Sequence, residues 1–267
     1  MEQQKKWGID VSSYQGVIDW EKVIDAGVSF AMIRMGYGQG HEDAQGRRNL
    51  YECNRLGLPC GVYWFSYALS SAQAEQEAAE CLRMIRGFHV QYVAYDLEYN
   101  SVSYAKEHGV VIGPALATAF AQAFCNTVTK AGYEPLLYAN WDYANHMFRL
   151  HDIDAGLWYA RYQSEIDRED VALWQYRDTG SVDGIEGKVD LDMAMKAFDE
   201  IEQDGTCPEV WSVYNSVEEC PGWAQPTVEK LVKAGAIKGN VNGELCLTYT
   251  ALKVLVIQDR MGVYDSK

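Results

Sequence analysis

Length, composition and charge exclude several classes of protein. The chain has 267 residues, 48% of them hydrophobic, and carries a net charge of −15, which argues against nucleic acid or anionic lipid as the main partner. No apolar run reaches the roughly 18 residues that a membrane-spanning helix needs, and the first residues lack the apolar core of a signal peptide. The sequence therefore predicts a protein made in the cytoplasm, without membrane insertion.

Strand-like and helical runs alternate over the first 150 residues. Predicted strands cover Trp7–Val11, Val28–Met35, Gly61–Tyr67, Tyr92–Glu98 and Pro135–Ala139. Predicted helices cover Trp20–Ala26, Arg47–Leu56, Ser70–Arg86, Pro114–Ala131 and Tyr143–Arg149. Three strands without helices follow, at Gly156–Arg161, Val171–Tyr176 and Lys188–Leu191. Five βα units followed by three strands predict an α/β protein, a parallel barrel with an irregular last third.

A second, smaller unit is predicted after the barrel. The run 204–208 indicates a boundary, so that residues 1–204 form the barrel and residues 205–267 a small domain. Amphipathic runs predict helices at Trp223–Ala234 and Thr250–Arg260, and therefore a mainly helical domain. About 60 residues are marginally stable alone, which favours packing on a partner surface.

Cysteine and histidine positions give no sign of a metal or cofactor site. The seven cysteines are scattered, without a CxxC pair, and none stands at a zinc-ligand spacing from a histidine. No Gly-rich phosphate loop and no G-x-S-x-G motif is found. We therefore expect reduced thiols and a chemistry that needs no metal and no cofactor.

Two acids stand two positions apart at the end of the predicted fourth strand. The run Val93–Tyr99 is apolar and aromatic except for Asp96 and Glu98. Side chains alternate along a strand, so both carboxyls point the same way. Burial of neighbouring like charges raises at least one pKa. A proton donor beside a permanent anion is what acid-catalysed glycosidic cleavage requires.

Two further acids, Asp10 and Asp190, fall near the ends of the first and last predicted strands. Those two strands adjoin in a closed barrel, and reactive groups of such barrels lie at the C-terminal ends of the strands. We therefore expect Asp10, Asp96, Glu98 and Asp190 at one rim.

Ordered motifs along the chain resemble glycoside hydrolase family 25, a family of lysozymes. The resemblance begins with Gly8–Gly16 and Ile18–Trp20 and continues through Ala26–Phe30, Ile33–Gly38, Gly57–Tyr67, Ala94–Glu98, Leu157–Ala160, Trp174–Tyr176 and Val189–Leu191. It spans about residues 7–200. It implies an irregular TIM-like (β/α)5β3 barrel and cleavage of the β-1,4 bond between N-acetylmuramic acid and N-acetylglucosamine in bacterial peptidoglycan.

The resemblance also assigns roles to the acids. Glu98 is the expected general acid, and Asp190 is preferred to Asp192, which stands where relatives often have Asn. Asp96 either attacks the anomeric carbon or orients the substrate's 2-acetamido group. Cβ atoms two residues apart on a strand are about 6.6–7 Å apart, between the carboxyl separations of retaining enzymes, roughly 5–5.5 Å, and inverting enzymes, roughly 6.5–9.5 Å. The resemblance favours retention with acetamido assistance.

Aromatic residues near the predicted rim are candidates for stacking on sugar rings, with core packing as the alternative for each: Tyr63, Phe65, Tyr138, Tyr159 and Trp174. Arg34 is a lone base in an apolar strand. It either pairs with a site carboxylate, which would lower the pKa of that group, or forms a structural ion pair.

The C-terminal residues resemble a small domain of clostridial phage and prophage lysozymes, at Val210–Tyr214, Cys220–Ala224, Thr227–Leu231 and Ile257–Tyr264. This implies an endolysin that accumulates in the host cytoplasm and reaches the wall after release through a separate pore. Wall targeting and homo-oligomer formation are both open for this domain. A non-catalytic wall-glycan-binding protein and another N-acetylhexosaminidase are the alternative functions; the intact acids disfavour the first and the absent acidic strand motif of chitinase barrels the second.

Overall fold

The chain divides into two compact units, Met1–Gln203 and Asp204–Lys267. The computed structural model describes residues 6–196, 198, 213–239, 243 and 245–264. The boundary predicted at residues 204–208 lies outside the described residues. In the described part of the chain, no helix is both long and apolar enough to cross a bilayer.

Unit 1 contains the alternating strands and helices. Its strands are β1 (Trp7–Val11), β2 (Ala31–Tyr37), β3 (His41–Glu42), β4 (Cys60–Phe65), β5 (Tyr92–Asp96), β6 (Glu134–Asn140), β7 (Gly156–Ala160), β8 (Val171–Gly180) and β9 (Val189–Ala194). Its helices are α1 (Trp20–Asp25), α2 (Gly46–Leu56), α3 (Ser71–Met84), α4 (Tyr99–Glu107) and α5 (Pro114–Lys130). Short 3-10 turns lie at Ser13–Gln15 and Leu150–Asp152, and a π turn at Tyr143–Met147.

Eight of these strands close into a barrel. The order is β1-β9-β8-β7-β6-β5-β4-β2, and a parallel pairing of β1 with β2 closes the circle. The pairings from β2 round to β8 are parallel, whereas β9 runs antiparallel to both β8 and β1. The two residues of β3 only extend β2. The predicted α/β barrel, with five βα units and three final strands, is confirmed.

Large side chains on the inner faces of the strands fill the barrel. Met32, Tyr92 and Trp158 belong to one buried cluster, with Phe198 stacked on Phe30 at a ring distance of 4.4 Å. The β4 residue Gly61 leaves the space that this cluster needs, because a Cβ there would lie 2.5 Å from the sulfur of Met32. The interior of the barrel around Met32 is therefore closely packed.

Helix α4 is absent from the sequence-based assignment. The predicted strand Tyr92–Glu98 ends at Asp96, and Glu98 instead stands immediately before α4. The Glu98 backbone N–H donates to Ser101 Oγ at 3.1 Å, a helix-start contact that satisfies one of the free N–H groups. Glu98 therefore lies on the turn between strand and helix rather than on the strand.

Unit 2 has a small helical core of its own. It contains β10 (Val213–Tyr214), α6 (Gln225–Lys233), β11 (Leu247–Thr248) and α7 (Tyr249–Arg260), with β10 and β11 paired antiparallel. The helices pack through Val228, Leu252 and Val256. Asp259 accepts hydrogen bonds from Thr227 Oγ1 and Lys230 Nζ, both at 2.7 Å.

Candidate active site

A cleft of about 260 Å³ opens at the C-terminal ends of the parallel strands. It is lined by Asp10, Ser12, Tyr14, Gln15, Arg34, Tyr63, Phe65, Asp96, Glu98, Tyr138, Trp158, Tyr162, Gln175 and Asp190. Two larger depressions, of about 430 Å³ each, include residues at the opposite, N-terminal ends of strands. The cleft is the feature in which acids of several strands converge, as expected for a barrel enzyme.

Asp96 and Glu98 lie together in this cleft. Asp96 ends β5, beside Phe65 of β4 and Tyr138 of β6, and is only 4% exposed. Its Oδ1 is buried without a hydrogen-bond partner. Burial and then the charge of Glu98 raise the pKa of Asp96, whereas Arg34 opposes this rise. Burial raises the pKa of Glu98 as well, and the charge of Asp190 adds to it.

The other two predicted acids complete the group. Asp10 of β1 and Asp190 of β9 are direct partners in the antiparallel pairing. Burial, with a further contribution from the charge of Asp178, raises the pKa of Asp190 to about 6. Burial also raises the pKa of Asp10, followed by the charges of Asp192 and Asp190. The structure thus brings all four predicted acids to one cleft.

Asp192 lies below the cleft. It is fully buried, and Trp158 Nε1 donates to its Oδ1 at 2.8 Å. Burial raises the pKa of Asp192 to about 8, while hydrogen bonds with Asp10 and Trp158 act in the opposite direction. Asp190 lines the cleft and Asp192 supports it from beneath, so the two acids of β9 differ in depth.

Gln175, a residue that sequence reasoning missed, orders the polar groups around Asp10. Its Nε2 donates to Asp10 Oδ2 at 2.7 Å, and its Oε1 accepts from the hydroxyls of Tyr138 and Tyr162, each at 3.0 Å. These contacts define which end of the amide faces Asp10. A lone buried glutamine in the apolar strand β8 is the signal that could have revealed this residue.

The predicted aromatic residues divide between the cleft and the barrel exterior. Tyr63, Phe65 and Tyr138 line the cleft, whereas Tyr159 and Trp174 do not. Those two pair across β7 and β8, so they share a face. Arg168 covers the ring of Tyr159, and Trp174 Nε1 donates to the Arg161 carbonyl at 2.8 Å.

The assignment of Tyr159 and Trp174 to the substrate is therefore corrected, because strand alternation turns their neighbours Trp158 and Gln175 inward instead. Trp158 lies beneath the cleft, with its ring 5.6 Å from that of Tyr63 and 4.9 Å from that of Tyr138. The sequence reasoning also missed four residues of the rim: Ser12, Tyr14, Gln15 and Tyr162. Tyr14 is 85% exposed.

Arg34 forms the structural ion pair, and its charge also influences a carboxyl of the cleft. Its guanidinium forms an ion pair with Asp43 at 2.8 Å and donates to Ser13 Oγ at 3.3 Å. It lines the cleft, and its charge lowers the pKa of Asp96. The ion pair is thus structural, while the same charge acts on a site carboxyl.

Metal binding finds no support in the described side chains. Within the ranges that the structure describes, no group of three or more His, Cys, Asp or Glu side chains has the arrangement of a metal site. Of the carboxyls in and beneath the cleft, Asp10 accepts from the Gln175 amide and Asp192 from the Trp158 indole. Such an arrangement can hold one acid protonated beside another that is ionised.

A closed barrel with carboxyl groups in a cleft at its C-terminal rim is an architecture of glycoside hydrolases. The profile of the glycosyl hydrolases family 25 matches residues 9–185, more than half of the chain. The chain therefore belongs to glycosyl hydrolases family 25, and it is a glycoside hydrolase of the lysozyme type. The resemblance that the motifs indicated is confirmed.

Individual relatives agree with this assignment. The uncharacterized protein YegX of Escherichia coli K12 is 26% identical over 223 residues, which cover 80% of this chain and 75% of YegX. The autolytic lysozyme of Clostridium acetobutylicum is 26% identical over 191 residues, which cover 69% of this chain and 54% of that protein. The solved autolysin LytC of Streptococcus pneumoniae, in complex with a synthetic peptidoglycan ligand, has 27% identity and a TM-score of 0.63. The match covers 71% of this chain and 46% of LytC, so the chain spans less than half of that autolysin.

Proposed function

We propose that the protein is an N-acetylmuramidase that hydrolyses the β-1,4 bond after N-acetylmuramic acid in bacterial peptidoglycan. The observation that carries the proposal is the pairing of Glu98 with Asp96 in the cleft, where burial raises the pKa of both. Glycosidic cleavage needs a carboxyl that stays protonated to donate to the leaving oxygen, and a second group that stabilises the anomeric centre. The cleft offers one residue for each task.

Glu98 is the general acid of this proposal. It lies at the N-terminus of α4, where the helix dipole favours an anion by about 0.3–1 kcal/mol. Burial and the charge of Asp190 act in the opposite direction and raise the pKa of Glu98. A carboxyl held protonated in this way donates its proton to the departing oxygen and then, as a carboxylate, accepts one from water.

Asp96 acts on the substrate's 2-acetamido group. Its buried Oδ1 has no partner in the protein, and an acetamido N–H is a donor that would satisfy it. The 2-acetamido group, once oriented by Asp96, attacks the anomeric carbon through its carbonyl oxygen, which gives retention of configuration. Direct attack by Asp96 is the alternative, and it also gives retention.

Family membership and the peptidoglycan ligand of LytC support the proposed polymer specificity. Mass spectrometry of the fragments released from purified peptidoglycan tests it. We expect N-acetylmuramic acid at the new reducing ends. N-acetylglucosamine at those ends would identify another N-acetylhexosaminidase, and the absence of new reducing ends would identify a wall-glycan-binding protein.

The part played by the acetamido group is tested with de-N-acetylated peptidoglycan. Acetamido assistance predicts a loss of turnover on that substrate, whereas direct attack by Asp96 predicts that turnover persists. The anomeric form of the first product, followed by NMR before mutarotation, tests retention. A product of inverted configuration would exclude both mechanisms.

Residues 205–267 are proposed to be an accessory domain that serves wall attachment or self-association. Val254 and Ile257 of α7 and Met261 directly after it are exposed apolar side chains, and exposed apolar patches mark contact surfaces. Light scattering of the full chain against a chain that ends at Asp204 tests self-association, and sedimentation with cell walls tests attachment. The resemblance to phage and prophage lysozymes supports host lysis as the biological role, with action on the wall after release.

A further inference from the structure

Two acids lie together at the floor of the cleft. Asp10 on β1 and Asp192 on β9 are 6% and 0% exposed, respectively. The strands are antiparallel neighbours in which Asp192 pairs with Gly8, two positions before Asp10, so both side chains lie on the inner face of the barrel. The two carboxyls influence each other: Asp192 raises the pKa of Asp10, and Asp10 lowers that of Asp192.

Neighbouring side chains donate to one oxygen of each carboxyl. Asp192 Oδ1 accepts from Trp158 Nε1 at 2.8 Å, whereas Asp192 Oδ2 has no N–H or O–H partner in the structure. Asp10 Oδ2 accepts from Gln175 Nε2 at 2.7 Å. Because Gln175 Oε1 already accepts from Tyr138 and Tyr162, its amide cannot turn around without losing both hydroxyls.

Among the described residues, no cationic side chain forms an ion pair that would compensate two negative charges on Asp10 and Asp192. The titratable groups that interact with the pair are neutral or acidic: Asp190, Tyr63, Tyr138, Tyr162 and Tyr176. Two buried carboxylates in contact repel each other strongly, whereas one proton between them turns the contact into a short hydrogen bond.

We propose that Asp192 and Asp10 share one proton and that Asp192, through the hydrogen bond made by this proton, is the positioning residue that holds the Asp10 carboxyl at the floor of the cleft. The effect of Asp192 on catalysis rests on the proposed function, whereas the shared proton does not depend on it. The pair carries one negative charge instead of two, close to Asp190. Burial raises the pKa of both residues, which agrees with this arrangement.

Three variants test whether Asp192 acts through its hydrogen bond to Asp10 or only by filling space. In Asp192→Asn the amide still accepts from Trp158 Nε1 and donates to Asp10, so it mimics the protonated acid; Asp192→Ala does neither. On peptidoglycan we expect a loss of kcat of about 100-fold for Asp192→Ala, typical of misplaced catalytic groups, and recovery of most of that loss in Asp192→Asn. Asp10→Asn removes the positioned carboxyl and loses activity. A loss in Asp192→Asn equal to that in Asp192→Ala would overturn the positioning role.

Infrared spectroscopy detects the proton without any substrate. The carboxylic acid C=O band of the wild type at pH 7 should lose intensity, by one group, in both Asp192→Asn and Asp10→Asn. An unchanged band in the two variants would refute the shared proton.

Unfolding measured against pH gives a second readout. The folded chain keeps a proton that the unfolded chain releases above a pKa of about 4, so the pair makes the wild type less stable as pH rises towards the folded pKa of about 8. The melting temperature of Asp192→Asn relative to wild type should therefore rise between pH 5 and pH 8, and a constant difference would count against the inference. Inactivity of the wild type on peptidoglycan would remove the proposed function alone, because neither of these readouts uses peptidoglycan.

Discussion

The substitution Glu98→Gln tests the central step of the proposed mechanism. Glutamine keeps the size and one acceptor of the glutamate, but it has no proton to give to the leaving oxygen. General acid catalysis contributes typically about 10²–10⁴-fold in rate, which corresponds to about 3–5 kcal/mol of activation free energy. We expect kcat to fall within this range on purified peptidoglycan, measured as reducing-end release, with little change in KM.

The structure also predicts how this variant folds. Burial and the charge of Asp190 raise the pKa of Glu98, so the ionised form is disfavoured in the folded state relative to the unfolded chain. Replacement by a neutral amide removes that penalty. The melting temperature of Glu98→Gln at pH 7 should therefore be equal to or higher than that of the wild type.

A matched control lies on the same helix. Glu107 is the last residue of α4 and is exposed, so Glu107→Gln removes the same charge without entering the cleft and should leave kcat unchanged. Near wild-type kcat in a correctly folded Glu98→Gln protein would refute the reasoning. A drop in melting temperature together with the loss of activity would instead show that Glu98 has a structural role.

Three further predictions concern pH. Asp190→Asn removes a charge that raises the pKa of Glu98, so the alkaline limb of the kcat/KM profile should move to lower pH. Arg34→Gln removes a charge that lowers the pKa of Asp96, so the acidic limb should move to higher pH, while Arg34→Lys should stay closer to wild type. Burial raises the pKa of Glu77 to about 7 from 4.5, a difference worth about 3 kcal/mol at most. Glu77→Gln should therefore gain stability relative to wild type between pH 5 and pH 8 in chemical denaturation, because the wild type loses stability as pH rises over that window.

Each of these has a clear contrary result. An alkaline limb that stays in place in Asp190→Asn would show that Asp190 does not act on Glu98. Identical acidic limbs in Arg34→Gln and wild type would remove the influence of Arg34 on Asp96. A stability difference independent of pH in Glu77→Gln would mean that Glu77 is ionised in the folded protein, with Ser66 Oγ and the Tyr67 N–H as its donors.

The sequence predicts the strands and helices of the barrel better than it predicts which side chains form the site. Alternating runs that end at Gly27, Gly57 and Gly132 mark the elements well, because local hydrophobic period and helix-stop residues act within a few positions. Helix α4 was missed, since Tyr99–Glu107 is mostly polar and directly follows an apolar strand. Its start depends on the contact between Glu98 and Ser101, which pattern alone does not reveal.

The acids of the cleft were found from the sequence because each stands close to the end of a strand, and strand ends meet in a barrel. The sequence does not show which member of each neighbouring pair, Trp158 or Tyr159 and Trp174 or Gln175, points into the barrel. Both members of each pair are compatible with an apolar strand that alternates faces. Only the position of the strand in the closed sheet decides which face is inside.

By itself, the sequence determined the barrel, the order of its elements and the presence of acids at its rim, since these follow from local pattern and from motifs. The tertiary structure alone decided that Asp190 lines the cleft while Asp192 lies beneath it against Asp10. This depends on the register between β1 and β9, strands separated by most of the chain. Depth in a barrel is a property of neighbouring strands, and no single strand encodes it.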